Sequence, residues 1–437
     1  MTHYATVICG GGPAGVSAVV AAAVQGRLEE FLDRGVLLVE ATGRAGSGSI
    51  PHYGIRANSL GSAFLECLDG PAGSGLLAGL ADSAEARELR GWADEYPPLP
   101  VVGAFLTLVG ERVVDALRRH PRCDALLGHR VVEVRTGPER ATVLLSGPDG
   151  ELSHTGDRVL LTMGGRERTE LAPDALAALV ERRPGLRVLS SGEVITDPSW
   201  HPDAASPHRA LGSIAVLGGA HSAWAVAAHL ARLARAGWFA GPVEVTVVER
   251  RLPPIFYFSA AEARAEGYRW DEADVCGPSG RVHRFGGLRG PARELARQVM
   301  GLAAEKAPDG FGQVVLDGPW TAEALEAAVG DADLVITALG YDARLPRLLG
   351  ADGRELELAR PRGAVDTGRD GLPGLAAGGR AERLVMYGLG AGLVPSEETG
   401  GEPGYRGRLD GVWVYQHDIG AVILRALLAN DRTEDGR

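Results

Sequence analysis

An α/β fold carrying two strand–turn–helix units is predicted by three observations. A short apolar run at residues 4–9 leads into Gly10-Gly11-Gly12-Pro13-Ala14-Gly15 and a small-residue helical stretch at 16–25. The same order recurs at residues 213–217, followed by Gly218-Gly219-Ala220-His221-Ser222-Ala223 and a helical stretch at 224–235. Near the C-terminus a third apolar run, 384–387, meets Gly388-Leu389-Gly390-Ala391-Gly392 ahead of a final helix expected at about 413–428. Strand and helix patterns that alternate in this way specify parallel sheets.

In the first unit the glycines fall at GxGxxG spacing. Gly10 suits the tight turn, Gly12 lets backbone approach a pyrophosphate, and Gly15 permits close helix–strand packing. Pro13 and Ala14 open the helix, whose first N–H groups and dipole favour phosphate. A second apolar strand at 36–39 ends in Glu40, an acid placed to accept the ribose hydroxyls of an adenosine. Glycines also mark ordinary turns, but strand, glycines, helix, second strand and terminal acid in this order favour a dinucleotide site.

In the second unit Gly218 and Gly219 are retained while Ala220 and Ala223 take the other two glycine places, and Ser222 opens the helix. The next strand, 243–248, ends in Glu249-Arg250-Arg251. An acid there favours the 2′-hydroxyl of NAD, whereas arginines can pair a 2′-phosphate, and the Arg250–Arg251 pair tips the reading to NADPH. His221 reads as a turn residue near a phosphate rather than an acid or base. Two such units make two Rossmann-like dinucleotide-binding domains.

Between them, residues 130–156 read as a β-meander with a Pro148-Asp149-Gly150 turn, followed by a strand at 157–165. Residues 334–338 form a strand and Leu339-Gly340-Tyr341 a turn that closes the second unit. The expected boundaries are 1–170 for the first part of the first domain, 205–345 for the inserted domain, and 346–437 for the return to the first.

Composition narrows the function. With 437 residues, 45% hydrophobic and 23% charged, the chain is a globular protein of two or three domains. Cys9, Cys67, Cys123 and Cys276 show no CxxC or Cys/His spacing, which argues against a disulfide scaffold, a metal centre or a dithiol redox pair and points to a cytoplasmic location. A net charge of -11 without a basic cluster argues against nucleic acid. The apolar stretch at 16–24 is too short to span a bilayer and lacks a positive leader, so no membrane partner is expected.

With both units placed, the chain resembles the class B flavin-dependent monooxygenases, which hold FAD and NADPH in separate domains: the N-hydroxylating enzymes acting on amines and amino acids, the flavin-containing monooxygenases and their Baeyer–Villiger relatives. The Gly10–Gly15 run matches their FAD fingerprint, and Gly218-Gly219-Ala220-His221-Ser222-Ala223 is similar to their GGGQSA-type NADPH turn. Residues 333–341 resemble the ATGY-type strand. Gly192 and Trp200 fall at the glycine and tryptophan of an FxGxxxHxxxW pattern, with Ser190 and Thr196 in place of its aromatic and histidine. Asn58 lies where flavin-containing monooxygenases carry an asparagine near the flavin, and it also suits a polar turn before a helix.

The resemblance implies FAD held by Gly10, Gly12, Pro13, Ala14, Gly15, Glu40, Gly388, Gly390 and Gln416, and NADPH held by Gly218, Gly219, Ser222, Arg250 and Arg251. It implies that NADPH reduces FAD, that O2 gives a C4a-hydroperoxyflavin, and that one oxygen passes to a small-molecule nucleophile, an amine or amino-acid nitrogen foremost. A two-electron NAD(P)H:FAD oxidoreductase without oxygen transfer is the alternative, and a non-catalytic nucleotide-binding protein a third reading. Related enzymes often form homo-oligomers. The cofactor carries the chemistry, which fits the lack of a Ser/His/Asp or paired-carboxylate constellation.

One segment stands apart. Residues 255–289 gather Phe256, Tyr257, Phe258, Tyr268 and Trp270, then Arg281, Arg284 and Arg289. They read equally as a substrate wall with an anion clamp or as a core insert with solvated arginines.

Overall fold

The computed structural model describes residues 1–69, 75–168, 175–201, 203, 205–411 and 418–429. Gln416 and the start of the expected final helix lie outside the described residues. The first sheet opens with β1 (Thr2–Cys9), β2 (Val36–Glu40), β3 (Asp124–Leu127), β4 (Arg130–Thr136), β5 (Ala141–Gly147) and β6 (Gly150–Leu161). After the linker strand β7 (Gly165–Glu167) come β8 (Arg187–Ser190), β9 (Ser213–Leu217), β10 (Glu244–Glu249), β11 (Phe311–Val315) and β12 (Leu334–Thr337). The chain returns through β13 (Tyr341–Ala343) to β14 (Arg347–Leu349) and β15 (Leu384–Met386), strands of the first sheet.

Parallel pairing runs β3-β2-β1-β6, with Cys9 opposite Val39 on one side and Leu161 on the other. β15 lies parallel to the end of β6, pairing Leu384–Met386 with Val159–Leu161. The beginning of β6 pairs antiparallel with β5, and β5 with β4. The sequence separates a meander from a strand at 157, but the structure makes them one strand. Glu151 and Leu152 are exposed, while Val159, Leu160 and Leu161 are buried between layers, so β6 changes environment without breaking.

The second sheet has the order β11-β10-β9-β12-β8, all parallel. It takes in β8, so its first strand precedes residue 205. The two crossings between domains pair with each other as antiparallel β7 and β13, tied by Arg168 Nε to Asp342 Oδ1 at 2.8 Å. The second dinucleotide-type domain is thus inserted into the first.

The apolar stretch at 16–24 belongs to the helix Pro13–Val24, buried from Gly15 to Ala23 and packed against the helix Asp418–Leu428. A helix that is apolar all round needs cover on all sides, and here protein supplies it. The 21-residue helix Leu99–Arg119, which carries none of the motifs above, buries Val102, Phe105, Leu106, Val109, Val113 and Leu117 at helical spacing. Among the described residues no helix is long and apolar enough to cross a membrane.

Candidate functional site

The first glycine turn is held from three sides. Gly10 takes φ +105°, a left-handed conformation that favours glycine, while its N–H donates to Val39 O at 2.8 Å and its carbonyl accepts from Thr162 Oγ1 at 2.9 Å. A Cβ on Gly15 would fall 1.8 Å from Gly10 O, so the helix can approach the turn only with glycine there. Gly12 has the opposite environment: a Cβ on it would meet only Gly48 Cα, at 3.8 Å. It is also the N-cap of Pro13–Val24 and gives no side-chain cap; its carbonyl accepts from Gly15 and Val16 N–H at 3.0 and 3.1 Å, and Pro13 has no N–H, which leaves the Ala14 N–H at the turn for a ligand.

Glu40 fastens the strand end to this turn. Its Oε2 accepts from Gly11 N–H at 2.7 Å and its Oε1 from Thr42 N–H at 2.7 Å. A carboxylate has about four acceptor sites, so this half-buried group keeps capacity for ribose hydroxyls. From the far end of the chain, a Cβ on Gly388 would lie 3.6 Å from Ala14 Cβ, which brings the last glycine turn to the same mouth. Gly390 serves packing, since a Cβ there would sit 2.2 Å from Ala343 N. These features fit a bound dinucleotide pyrophosphate.

The second turn repeats the plan with changes. Gly218, at φ +140°, donates to Val248 O at 2.9 Å, and Ala220 is the N-cap of the helix His221–Arg235, again without a side-chain cap. Burial, with Arg289 adding to it, pushes the His221 imidazole down to about 4, so it is neutral at physiological pH and suits a turn residue better than an acid. Arg250 and Arg251 are exposed and have no side-chain partner among the described residues.

Glu249 is fully buried, and burial pushes its carboxyl up to about 7 despite a hydrogen bond from Trp224 Nε1 at 3.3 Å; its other oxygen, Oε1, has no partner. As pH rises above the ordinary carboxylate range, the unfolded chain loses this proton first, so stability falls with pH until the folded group also ionises. Glu249→Gln removes that loss. Its melting temperature relative to the parent should therefore climb between about pH 4.5 and 7 and level off above, as read by thermal denaturation across pH.

The crossing strands bring Tyr341 beside the last glycine turn, since a Cβ on Gly165 would meet Tyr341 Cβ at 3.0 Å and Leu389 Cβ at 2.8 Å. Ser222, at the start of the second helix, acts on the Tyr341 hydroxyl and partly offsets the rise in its pKa. Burial pushes the Tyr341 hydroxyl well up, and Glu167, Tyr53 and Asp410 add to the effect. Asp410 is half-buried, and burial pushes it up to about 6 against its own backbone N–H. Sequence reasoning missed Asp410 and Glu167, which carry no motif of their own, and named Tyr53 only as the start of the stretch that carries Asn58.

Gly192 owes its place to Glu167: its N–H donates to both carboxylate oxygens, at 3.0 and 2.9 Å, and a Cβ there would lie 2.5 Å from Oε2. Trp200 is buried and stacks on His208 at 4.3 Å. Ser190 caps the helix Ser191–Thr196 through a capping box with Glu193. Asn58 is exposed and accepts from Ser59 Oγ at 3.4 Å.

The aromatic and arginine segment divides between domains. Ile255, Tyr257 and Val282 are buried in the core of the second domain. Arg281, Arg284 and Arg289 are each partly buried rather than fully exposed. The Arg289 guanidinium lies 4.3 Å from the Phe256 ring centroid, with burial pushing it down to about 10. Arg284 lies over Phe285 at 4.7 Å and donates to Thr399 O at 3.2 Å. The buried Glu402 carboxylate accepts from Phe285 N–H at 3.0 Å and Gly286 N–H at 2.8 Å. The segment ties the inserted domain to the returning chain. Among the described residues no cluster of His, Cys, Asp and Glu is arranged to hold a metal.

No protein-family model matches the chain. Among solved structures it is similar to an L-lysine 6-monooxygenase from Pseudomonas syringae, at TM-score 0.57 and 17% identity over 97% of this chain and 99% of that one. An ornithine N-hydroxylase from Kutzneria sp. 744, with reduced FAD, NADP+ and L-ornithine, matches at TM-score 0.55 and 16% identity over 97% and 99%. A cadaverine monooxygenase of desferrioxamine biosynthesis from Erwinia amylovora, bound to FAD, matches at TM-score 0.56 and 13% identity over 98% and 95%. The likeness is one of fold, and it gives this chain the two-domain α/β architecture that these monooxygenases share.

Proposed function

We propose that this protein is an FAD- and NADPH-dependent monooxygenase that transfers one oxygen atom of O2 to the nitrogen of a small amine or amino acid. The observation that carries the reading is the pair of helix N-termini without a side-chain cap, each set behind a glycine turn in its own sheet. Gly12, Gly15, Glu40 and Gly388 would hold FAD, and Gly218, Gly219, Ser222, Arg250 and Arg251 would hold NADPH. Bound flavin and nicotinamide supply the redox chemistry and the activation of O2. The chain's own residues bind, orient and shield.

The acidic surroundings of Tyr341 also suit a cationic amine. Glu167 and Asp410 both lie within electrostatic reach of Tyr341, and a carboxylate there would hold an ammonium group and take up its proton. The solved structures with this fold include ornithine, lysine and cadaverine hydroxylases, which supports nitrogen as the acceptor. Asp410→Asn should raise KM for the amine about 10–100-fold, the weight of one charge-assisted hydrogen bond. In the parent protein kcat/KM should fall as pH drops through about 6, where Asp410 becomes neutral, and the variant should lose that limb.

The direct test supplies FAD, NADPH and ¹⁸O2 with a panel of diamines and basic amino acids. The expected result is amine-stimulated NADPH consumption with one ¹⁸O per product. NADPH oxidation that yields only hydrogen peroxide across the panel would favour the two-electron oxidoreductase. A colourless protein that leaves NADPH untouched after FAD supplementation would favour a nucleotide-binding role without catalysis.

A further inference from the structure

The two glycine units provide an internal comparison. Gly10, Gly11, Gly12 and Val16 correspond to Gly218, Gly219, Ala220 and Trp224, and the pairing of Cys9 with Val39 corresponds to that of Leu217 with Val248. Glu40 and Glu249 therefore occupy the same place, at the end of the strand that follows the turn. Their environments differ. Glu40 is half-buried and accepts from Gly11 N–H at 2.7 Å, facing the mouth of its turn. Glu249 is fully buried, lies so close beneath Gly219 that a Cβ there would meet its Oε2 at 2.8 Å, and takes its hydrogen bond from Trp224 Nε1 at 3.3 Å.

The residue that makes the difference is on the helix. Val16 has no donor, whereas Trp224 at the equivalent place is fully buried and presents an indole N–H to the carboxyl. An acid at this strand end ordinarily binds the 2′-hydroxyl of NAD and opposes a 2′-phosphate by charge. Drawn inward, Glu249 leaves the exposed Arg250 and Arg251 as the charged groups at the mouth.

We propose that Trp224 is a positioning residue for coenzyme choice: by holding Glu249 beneath the turn, its indole N–H keeps a carboxylate away from the 2′-position and lets the arginines select a 2′-phosphorylated nucleotide. The proposal rests on the NADPH reading above and goes beyond it by naming the group that silences the acid. Without the indole donor, the carboxylate would turn outward to the Gly219 N–H, as Glu40 does to Gly11.

The test measures binding of 2′,5′-ADP and 5′-ADP to the FAD-supplemented full chain by calorimetry, which needs no turnover. Trp224→Phe keeps an aromatic ring and removes the donor. It should lower the preference for 2′,5′-ADP over 5′-ADP about tenfold or more, the weight of a single charge-assisted hydrogen bond. Trp224→Phe/Glu249→Gln should restore the parent ratio, which a merely structural loss would not do. Glu249→Gln alone should leave the ratio within about twofold, because the parent carboxyl already faces inward, and this variant tests the idea even if Trp224→Phe does not fold.

An unchanged ratio in folded Trp224→Phe, or a change of more than about fivefold in Glu249→Gln, would overturn the role of Trp224 while leaving the NADPH reading in place. A parent protein that binds neither nucleotide, or prefers 5′-ADP, would overturn the NADPH reading itself.

Discussion

Gly15→Ala should yield a protein that purifies without flavin and melts below the parent, whereas Gly12→Ala should lose flavin without losing stability in the flavin-free state. The two glycines belong to one motif, but they meet different surroundings. At Gly15 a methyl group would fall 1.8 Å from Gly10 O, which accepts from Thr162 Oγ1 in a residue whose N–H is held by Val39 O. The helix must withdraw, at a cost of about 1–3 kcal/mol or more for overpacking. At Gly12 φ is -68°, which any residue can adopt, and the nearest neighbour of a methyl would be 3.8 Å away. That methyl would project into the space above the helix N-terminus, where the pyrophosphate is expected. Flavin-to-protein absorbance ratios and thermal midpoints of the flavin-free proteins separate the cases. Equal stability of the two variants would refute the packing argument, and full flavin content in Gly12→Ala would refute the site.

Replacing Arg250 and Arg251 should weaken NADPH binding far more than NADH binding. Each guanidinium is exposed and has no side-chain partner among the described residues, so no internal ion pair must break before it meets a phosphate. A charge-assisted hydrogen bond is worth about 1.5–3 kcal/mol, so Arg250→Ala should raise the NADPH dissociation constant about 10–100-fold, and the double alanine variant further. NADH lacks the 2′-phosphate and should bind both variants about as it binds the parent. The loss should shrink at high salt, because exposed charges are screened. Fluorescence titration with each coenzyme checks this, and an unchanged preference would show that the 2′-phosphate lies elsewhere.

Much of the fold was legible because its signals are local. The turns at Gly10 and Gly218 require backbone conformations that favour glycine, and the strands beside them are short apolar runs, so both units could be placed from spacing. The return of the chain to the first domain came from the resemblance, in which a final strand and glycine turn complete the first domain. The β6 strand was less legible. A change from exposed to buried along one strand looks, in sequence, like a turn between two.

The candidate site was read only in part. Gly12, Gly388 and Ser222 were named from motifs and Tyr341 from the ATGY-type strand, but Tyr53, Glu167 and Asp410 act on Tyr341 from separate parts of the chain. No periodicity marks such a meeting. The arginines near residue 284 were likewise ambiguous in sequence, because only the tertiary approach of Thr399 shows what Arg284 meets.

By itself the sequence determined two strand–glycine–helix units and their order along the chain. These follow from backbone sterics and hydrophobic period, which act over a few residues. The tertiary structure alone decided what each strand-end acid faces. Glu40 and Glu249 read alike as acids closing an apolar strand, yet one accepts from its turn at the surface and the other is enclosed beneath Trp224. Burial and charge state depend on what packs against a group from elsewhere in the chain, and that is settled only when the helices meet the sheets.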